Sequence, residues 1–153
     1  MGSMTVTVRL AAVAHPWFAE AAELLDAYRQ HYGANPAPEA VAAWMRDQVI
    51  AERSRIYVTG DGPRAYGICS VASLPAALTL RTVWLVRDLY VNQDARRQGV
   101  ARTLLAQVAD DARTAGAHRL SLQTDAANVR AVQLYAKSGF TTLTDVALMD
   151  RVL

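Results

Sequence analysis

The sequence predicts an α/β protein of the α+β type, with a mixed, mostly antiparallel central sheet and helices on both faces. Three observations lead there. Apolar and alternating runs at Ile56–Thr59, Tyr66–Leu74 and Thr82–Val91 are joined by short links, which makes an antiparallel meander. Two amphipathic stretches come before that meander. A third follows it and leads to one more strand, so the fourth and fifth strands are joined by a helical crossover and run parallel, with the right-handed sense expected. The full order is βααβββαβαβ.

The elements follow in chain order. Thr5 to Leu10 alternates, with Val6, Val8 and Leu10 on one face, and reads as a half-buried strand. Trp17, Ala21, Leu24, Leu25 and Tyr28 recur at helical spacing, predicting a helix from about Pro16 to His31 that stops before Gly33. After the loop Asn35-Pro36-Ala37-Pro38, the stripe Val41, Trp44, Met45, Val49 predicts a helix from Pro38 to Arg53. Gly60 to Pro63 is a turn between two strands of the meander, and Pro75 to Leu80 links the next two. Val100, Leu104, Leu105, Val108 and Ala112 form the buried face of a helix from about Gly99 to Ala115, closed by Gly116. Arg119 to Thr124 is a strand, Asn128 to Ser138 a helix ending at Gly139, and Thr141 to Arg151 one or two closing strands.

Composition narrows the class. The chain has 153 residues, suited to one domain over residues 4–153, and Met1-Gly2-Ser3 reads as a cloning remnant. Apolar residues make up 52% and charged residues 20%, a globular balance. A net charge of +2 gives no field that would favour nucleic acid. No apolar run nears the ~18 residues of a membrane span, and no secretory signal is present, so a cytoplasmic location is expected. The lone Cys69 sits in an apolar run and reads as a buried, inert thiol. No His, Cys or carboxylate spacing suggests a metal.

The loop Arg96-Arg97-Gln98-Gly99-Val100-Ala101 carries the first chemical signal. Helix-initial amides lack partners, the dipole is positive there, and two guanidinium groups stand alongside. Such a place suits a phosphate. The P-loop spacing is absent, and one glycine replaces the three of a dinucleotide fingerprint.

A second motif supplies an owner for that phosphate. Asn128 to Phe140 reads N-x-x-A-x-x-L-Y-x-x-x-G-F. With L-Y-V-x(4)-R-x-x-G-x-A upstream, the chain resembles the GCN5-related N-acetyltransferase superfamily, specifically over about Trp84 to Phe140. Tyr28 to Gly33 adds a milder likeness. Ala101 stands where the family often has a second glycine, and Asn92-Gln93 lacks a frequent proline.

The resemblance implies an acyl-coenzyme A N-acyltransferase fold in which the parallel pair of strands splays apart. It implies acetyl-CoA as co-substrate, with its diphosphate on the amides around Gln98, Gly99, Val100 and Ala101 and beside Arg96, Arg97 and Arg102. The main chain of Leu89, Tyr90 and Val91 would pair with the pantetheine arm, as an extended ligand adds to a strand edge. Asn128 would contact the cofactor and also suits an N-cap. Tyr135 would protonate the departing thiolate, and a phenol is a donor at neutral pH.

Asp88 is the candidate base, or else a buried structural acid. Strict alternation would put Val86, Asp88 and Tyr90 on one face, and Arg87 and Leu89 on the other. Arg87 replaces the first of two acids found in polyamine-type members, which counts against a polyamine substrate. Tyr28 and Tyr32, with Trp44, are candidate walls of the acceptor pocket, although core packing is the simpler reading for Tyr28 and Trp44. His31 is an alternative base. The expected acceptor is a small-molecule amine, with a protein amine or a non-catalytic CoA-binding module as rivals, and a homodimer is compatible with the resemblance.

Overall fold

A computed structural model describes residues 4–153. The remnant read at residues 1–3 lies outside the described residues. The chain forms two compact units, one ending at Gln123 and the other spanning Thr124–Leu153. Among the described residues, no helix is long and apolar enough to cross a membrane.

The first unit is a five-stranded sheet in the order β1-β2-β3-β4-β5. Its strands are β1 (Val6–Arg9), β2 (Arg55–Asp61), β3 (Arg64–Ala76), β4 (Arg81–Val91) and β5 (Arg119–Leu122). The first four run antiparallel, and β4 and β5 are parallel. Helices α1 (Phe18–His31) and α2 (Pro38–Ile50) precede the meander, and α3 (Val100–Thr114) supplies the crossover. Alternation along β2 divides the faces. Ile56 and Val58 join Leu24, Leu25 and Met45 in the core under α1 and α2. Between them, Tyr57 points the other way, and its hydroxyl donates to Asp111 of α3 at 2.8 Å. Helices therefore cover both faces.

Two details of α1 matter for the site. The helix starts two residues later than its periodicity suggests. His15 accepts from the Trp17 amide through Nδ1 at 3.0 Å, and the Trp17 indole N–H donates to the Gly62 carbonyl at 3.1 Å. These bonds hold Trp17 just outside the helix. Further along, Asp26 is buried at 5% exposure. Its carboxylate accepts from Arg29 at 2.9 Å, from Gln30 at 3.3 Å, and from the Ala37 amide at 3.1 and 3.3 Å. Ala37 precedes α2 and has no side chain able to cap it. An acid of α1 thus caps α2 and fixes the corner between the helices.

β4 departs from strict alternation. Val86 pairs with Val71, but Asp88 pairs with Ser70, so Arg87 is an extra residue in a β-bulge. Cross-strand partners share a face, and Ser70 and Val71 face opposite ways. Val86 and Asp88 therefore lie on opposite faces, which corrects the alternation read from sequence. Past the bulge, Asp88 and Tyr90 face α1 and α2, as Ser70 and Ile68 do. The parallel ladder with β5 ends at Val86↔Leu122. From Arg87 to Val91, β4 has no second partner strand among the described residues. This is the open edge that a splayed parallel pair leaves.

The second unit contains α4 (Val129–Lys137). Asn128 caps it, its Oδ1 accepting from the Ala131 amide at 3.2 Å, and Gly139 ends it at φ 94°. The closing strands expected over Thr141 to Arg151 are not formed: among the described residues, this stretch carries no strand. A strand needs a ladder partner, and this unit holds none.

Candidate active site

The bulge in β4 sets the site. Asp88 accepts a hydrogen bond from the hydroxyl of Ser70, its partner across the ladder. Ser70 is buried. Tyr28 of α1 faces the same carboxylate. Burial first, and then the negative charge of Asp88 and a hydrogen bond to it, raise the Tyr28 hydroxyl well above the ordinary phenol range. Tyr28 is therefore a donor at neutral pH. Ser70 of β3 and Tyr28 of α1 therefore converge on the Asp88 carboxylate of β4.

This cluster lies at the wall of a cavity of about 550 Å³. Leu25, Val41 and Trp44 supply apolar lining, and Ser70, Arg87 and Asp88 supply a polar end. Tyr28 and Trp44 line it, and Trp44 is 47% exposed rather than packed in the core. Tyr32 does not line it. Its ring packs edge-on against Tyr28 at 5.2 Å and stands 72% exposed. His31 is also outside the cavity, with its ring against Tyr32 and Tyr90. Arg87 lines the cavity beside Asp88 because the bulge turns it there. Ser70 and Ser54 are not singled out from sequence, and Arg87 reads there only as counting against a polyamine substrate. Only knowledge of the β3–β4 register would have found Ser70.

The start of α3 stands near the same end of the sheet. Gly67 on β3 makes this possible: a Cβ there would lie 2.7 Å from Val100 Cγ1 and 3.0 Å from Leu104 Cδ1. Gly67 pairs with Val91, so the helix start packs beside the open end of β4. Gly99 precedes the helix with φ 79°, a conformation that glycine takes without steric cost. It brings no capping side chain, and no acid occupies the first turn of α3. The first amides of a 15-residue helix are thus uncapped by side chains, with Arg97, Gln98 and Arg102 exposed around them. Val100 is buried and Ala101 half-buried. Arg96 is partly committed. Its Nε donates to the Val91 carbonyl at 3.1 Å, and its guanidinium lies 5.6 Å above the Tyr90 ring. These features suit an anionic, extended ligand: donors for phosphate, then an edge of β4 from Leu89 to Val91 with no second partner strand among the described residues.

In the second unit, Tyr135 sits in α4 with its ring 6.0 Å from that of Phe140. Asn128 spends its side-chain oxygen on the cap, which leaves its amide nitrogen for another partner.

Cys69 is fully buried on β3. Burial first, and then Asp88, push its thiol up to about 12, so it is no thiolate and no nucleophile at neutral pH.

An antiparallel meander, a parallel crossover and an uncapped helix start at the open end of the fourth strand form the layout of an acyltransferase. The sequence pattern of the Acetyltransferase (GNAT) family matches residues 16–140, and the chain belongs to that family. Over 119 residues it is 25% identical to the uncharacterized N-acetyltransferase YhfO of Bacillus subtilis (strain 168), covering 78% of this chain and 80% of that protein. The crystal structure of a probable acetyltransferase superposes with a TM-score of 0.86 at 27% identity, covering 98% of this chain and 97% of the other. An aminoglycoside N-acetyltransferase in complex with CoA shares the fold, with a TM-score of 0.77 at 16% identity over 99% and 97% of the two chains. The protein is an acetyltransferase.

Proposed function

We propose that this protein transfers the acetyl group of acetyl-CoA to the primary amine of a small molecule, by direct attack in a ternary complex. The observation that carries this reading is Asp88, held by Ser70 at the polar end of the cavity and placed on the strand whose edge is open. The co-substrate's diphosphate would rest on the α3 amides from Gly99 to Arg102, with Arg96 and Arg97 beside it. Its pantetheine arm would run along Leu89 to Val91. The uncapped helix and unpaired edge support that berth, and a fold neighbour in complex with CoA supports CoA as the kind of ligand.

The amine enters the cavity as an ammonium and gives a proton to Asp88. Its lone pair attacks the thioester carbon, and backbone donors near Leu89 polarise the carbonyl. The C–N bond forms and the C–S bond breaks; Tyr135 would give a proton to the leaving sulfur, and the second proton shed by the nitrogen would return through solvent to the Tyr135 phenolate. Asn128 contributes a polar contact to the co-substrate. Much of the rate comes from holding amine and thioester in line.

A thiol-release assay with acetyl-CoA against a broad amine panel tests this function. Release with at least one amine is expected, and Tyr135→Phe should lower turnover by about 100-fold or more while acetyl-CoA affinity stays within about threefold. A protein that acetyl-CoA stabilises against heat, but that releases no thiol with any amine, would be a binding module, and the reading would fail.

A further inference from the structure

We propose that the acceptor is an amino carboxylate with an apolar body, of the free amino acid class, whose ammonium is held at Asp88 and whose carboxylate is held at Arg87. This inference rests on the amine acetyltransferase reading and narrows its substrate.

The charges around the cavity carry it. Asp88 is the one carboxylate among the described lining residues, and two guanidinium groups, Arg29 and Arg87, stand against it. Arg29 is already used. It donates to Asp26 at 2.9 Å and to the Asn35 carbonyl at 3.3 Å. The Arg87 side chain forms no hydrogen bond and no ion pair among the described residues. The bulge sets it on the cavity side next to Asp88, and both charges act on the Tyr28 hydroxyl, in opposite senses. A negative and a free positive group on adjacent residues, at one end of one cavity, match the two charges of an amino carboxylate. A guanidinium fork suits a carboxylate in particular.

The remaining walls fix the rest of the ligand. Trp44, with Leu25 and Val41, offers an apolar surface to a side chain. The cavity of about 550 Å³ lies within the ~300–1,000 Å³ of ordinary small-molecule sites. The buried Ser54 Oγ, with no hydrogen-bond partner among the described residues, lines it as well and offers one more polar contact. A polycation fits poorly. It would bring several positive charges to a lining with one carboxylate and would be repelled by Arg87.

The test measures kcat/KM by thiol release for the standard amino acids and for the amines that differ from them only by loss of the carboxylate, such as phenethylamine, tryptamine and isoamylamine. Spermidine and an aminoglycoside serve as polycations. The best amino acid should exceed its decarboxylated counterpart by about tenfold to a hundredfold, the range of a charge-assisted hydrogen bond. In Arg87→Gln, that ratio should fall to near one, mainly through KM for the amino acid. Arg87 is exposed, so this variant folds. Release with plain amines or polycations at equal or better efficiency would overturn the inference and leave the acetyltransferase reading standing. So would a ratio unchanged in Arg87→Gln. No release with any acceptor would instead remove the acetyltransferase reading, and this inference with it.

Discussion

Removing the Asp26 carboxylate should loosen the wall that α2 contributes to the cavity. Asp26 is 5% exposed and accepts from Arg29, Gln30 and twice from the Ala37 amide. Asp26→Ala leaves that amide unpaired, which costs about 1–3 kcal/mol. The lost ion pair adds less, because the Arg29 side chain is 38% exposed and can be rehydrated. A total of about 2–4 kcal/mol follows, which lowers Tm by roughly 5–15 °C for a domain of this size. Asp26→Asn keeps one acceptor oxygen and should lose about half as much. Urea unfolding and calorimetry on the three proteins read these values. Trp44 and Val41 ride on α2, so KM for the acceptor should rise as well. A loss below about 0.5 kcal/mol, typical of a surface change, would refute the capping role. Equal losses for Ala and Asn would refute the view that the acceptor oxygen is what matters.

Two further outcomes are expected. Arg96→Ala combined with Arg97→Ala should weaken acetyl-CoA binding by about tenfold or more, read by calorimetry, with the fold intact; unchanged affinity would take both side chains out of the phosphate site. Stability should fall on the alkaline side. Cys69, held near 12, and Tyr28 and Tyr57, both raised chiefly by burial, keep their protons in the native state after an unfolded chain has lost them. Their contribution is complete below about pH 8.5, the ordinary thiol value, and is lost as pH rises through the native values. Cys69→Ala should flatten the decline between about pH 8.5 and 10; a slope equal to that of the parent would contradict it.

Local patterns made much of the fold legible. Val100, Leu104, Leu105, Val108 and Ala112 are all buried on α3, as their spacing requires. Short links and alternation were enough for the meander, and the crossover for the parallel pair. What escaped depended on pairing between distant residues. Nothing in Val86-Arg87-Asp88-Leu89 marks an extra residue, yet the bulge there reverses Val86 against Asp88 and turns Arg87 toward the cavity. Asp26 is not singled out from sequence, because its bond to an amide 11 residues away belongs to the α1–α2 corner. Tyr32 follows Tyr28 by one helical turn but leans on it from outside the cavity. Thr141 to Arg151 carries some strand-like alternation but no partner in its own unit.

The central claim is that Asp88 takes the proton of the attacking amine. Asp88→Asn keeps an acceptor for the Ser70 hydroxyl and removes the base. The pH profile of kcat/KM for the best acceptor, measured on both proteins, tests the claim most directly. The account predicts a loss of about 100- to 10,000-fold near neutral pH, with acetyl-CoA affinity within about twofold of the parent. Activity within about fivefold of the parent across the profile would contradict it.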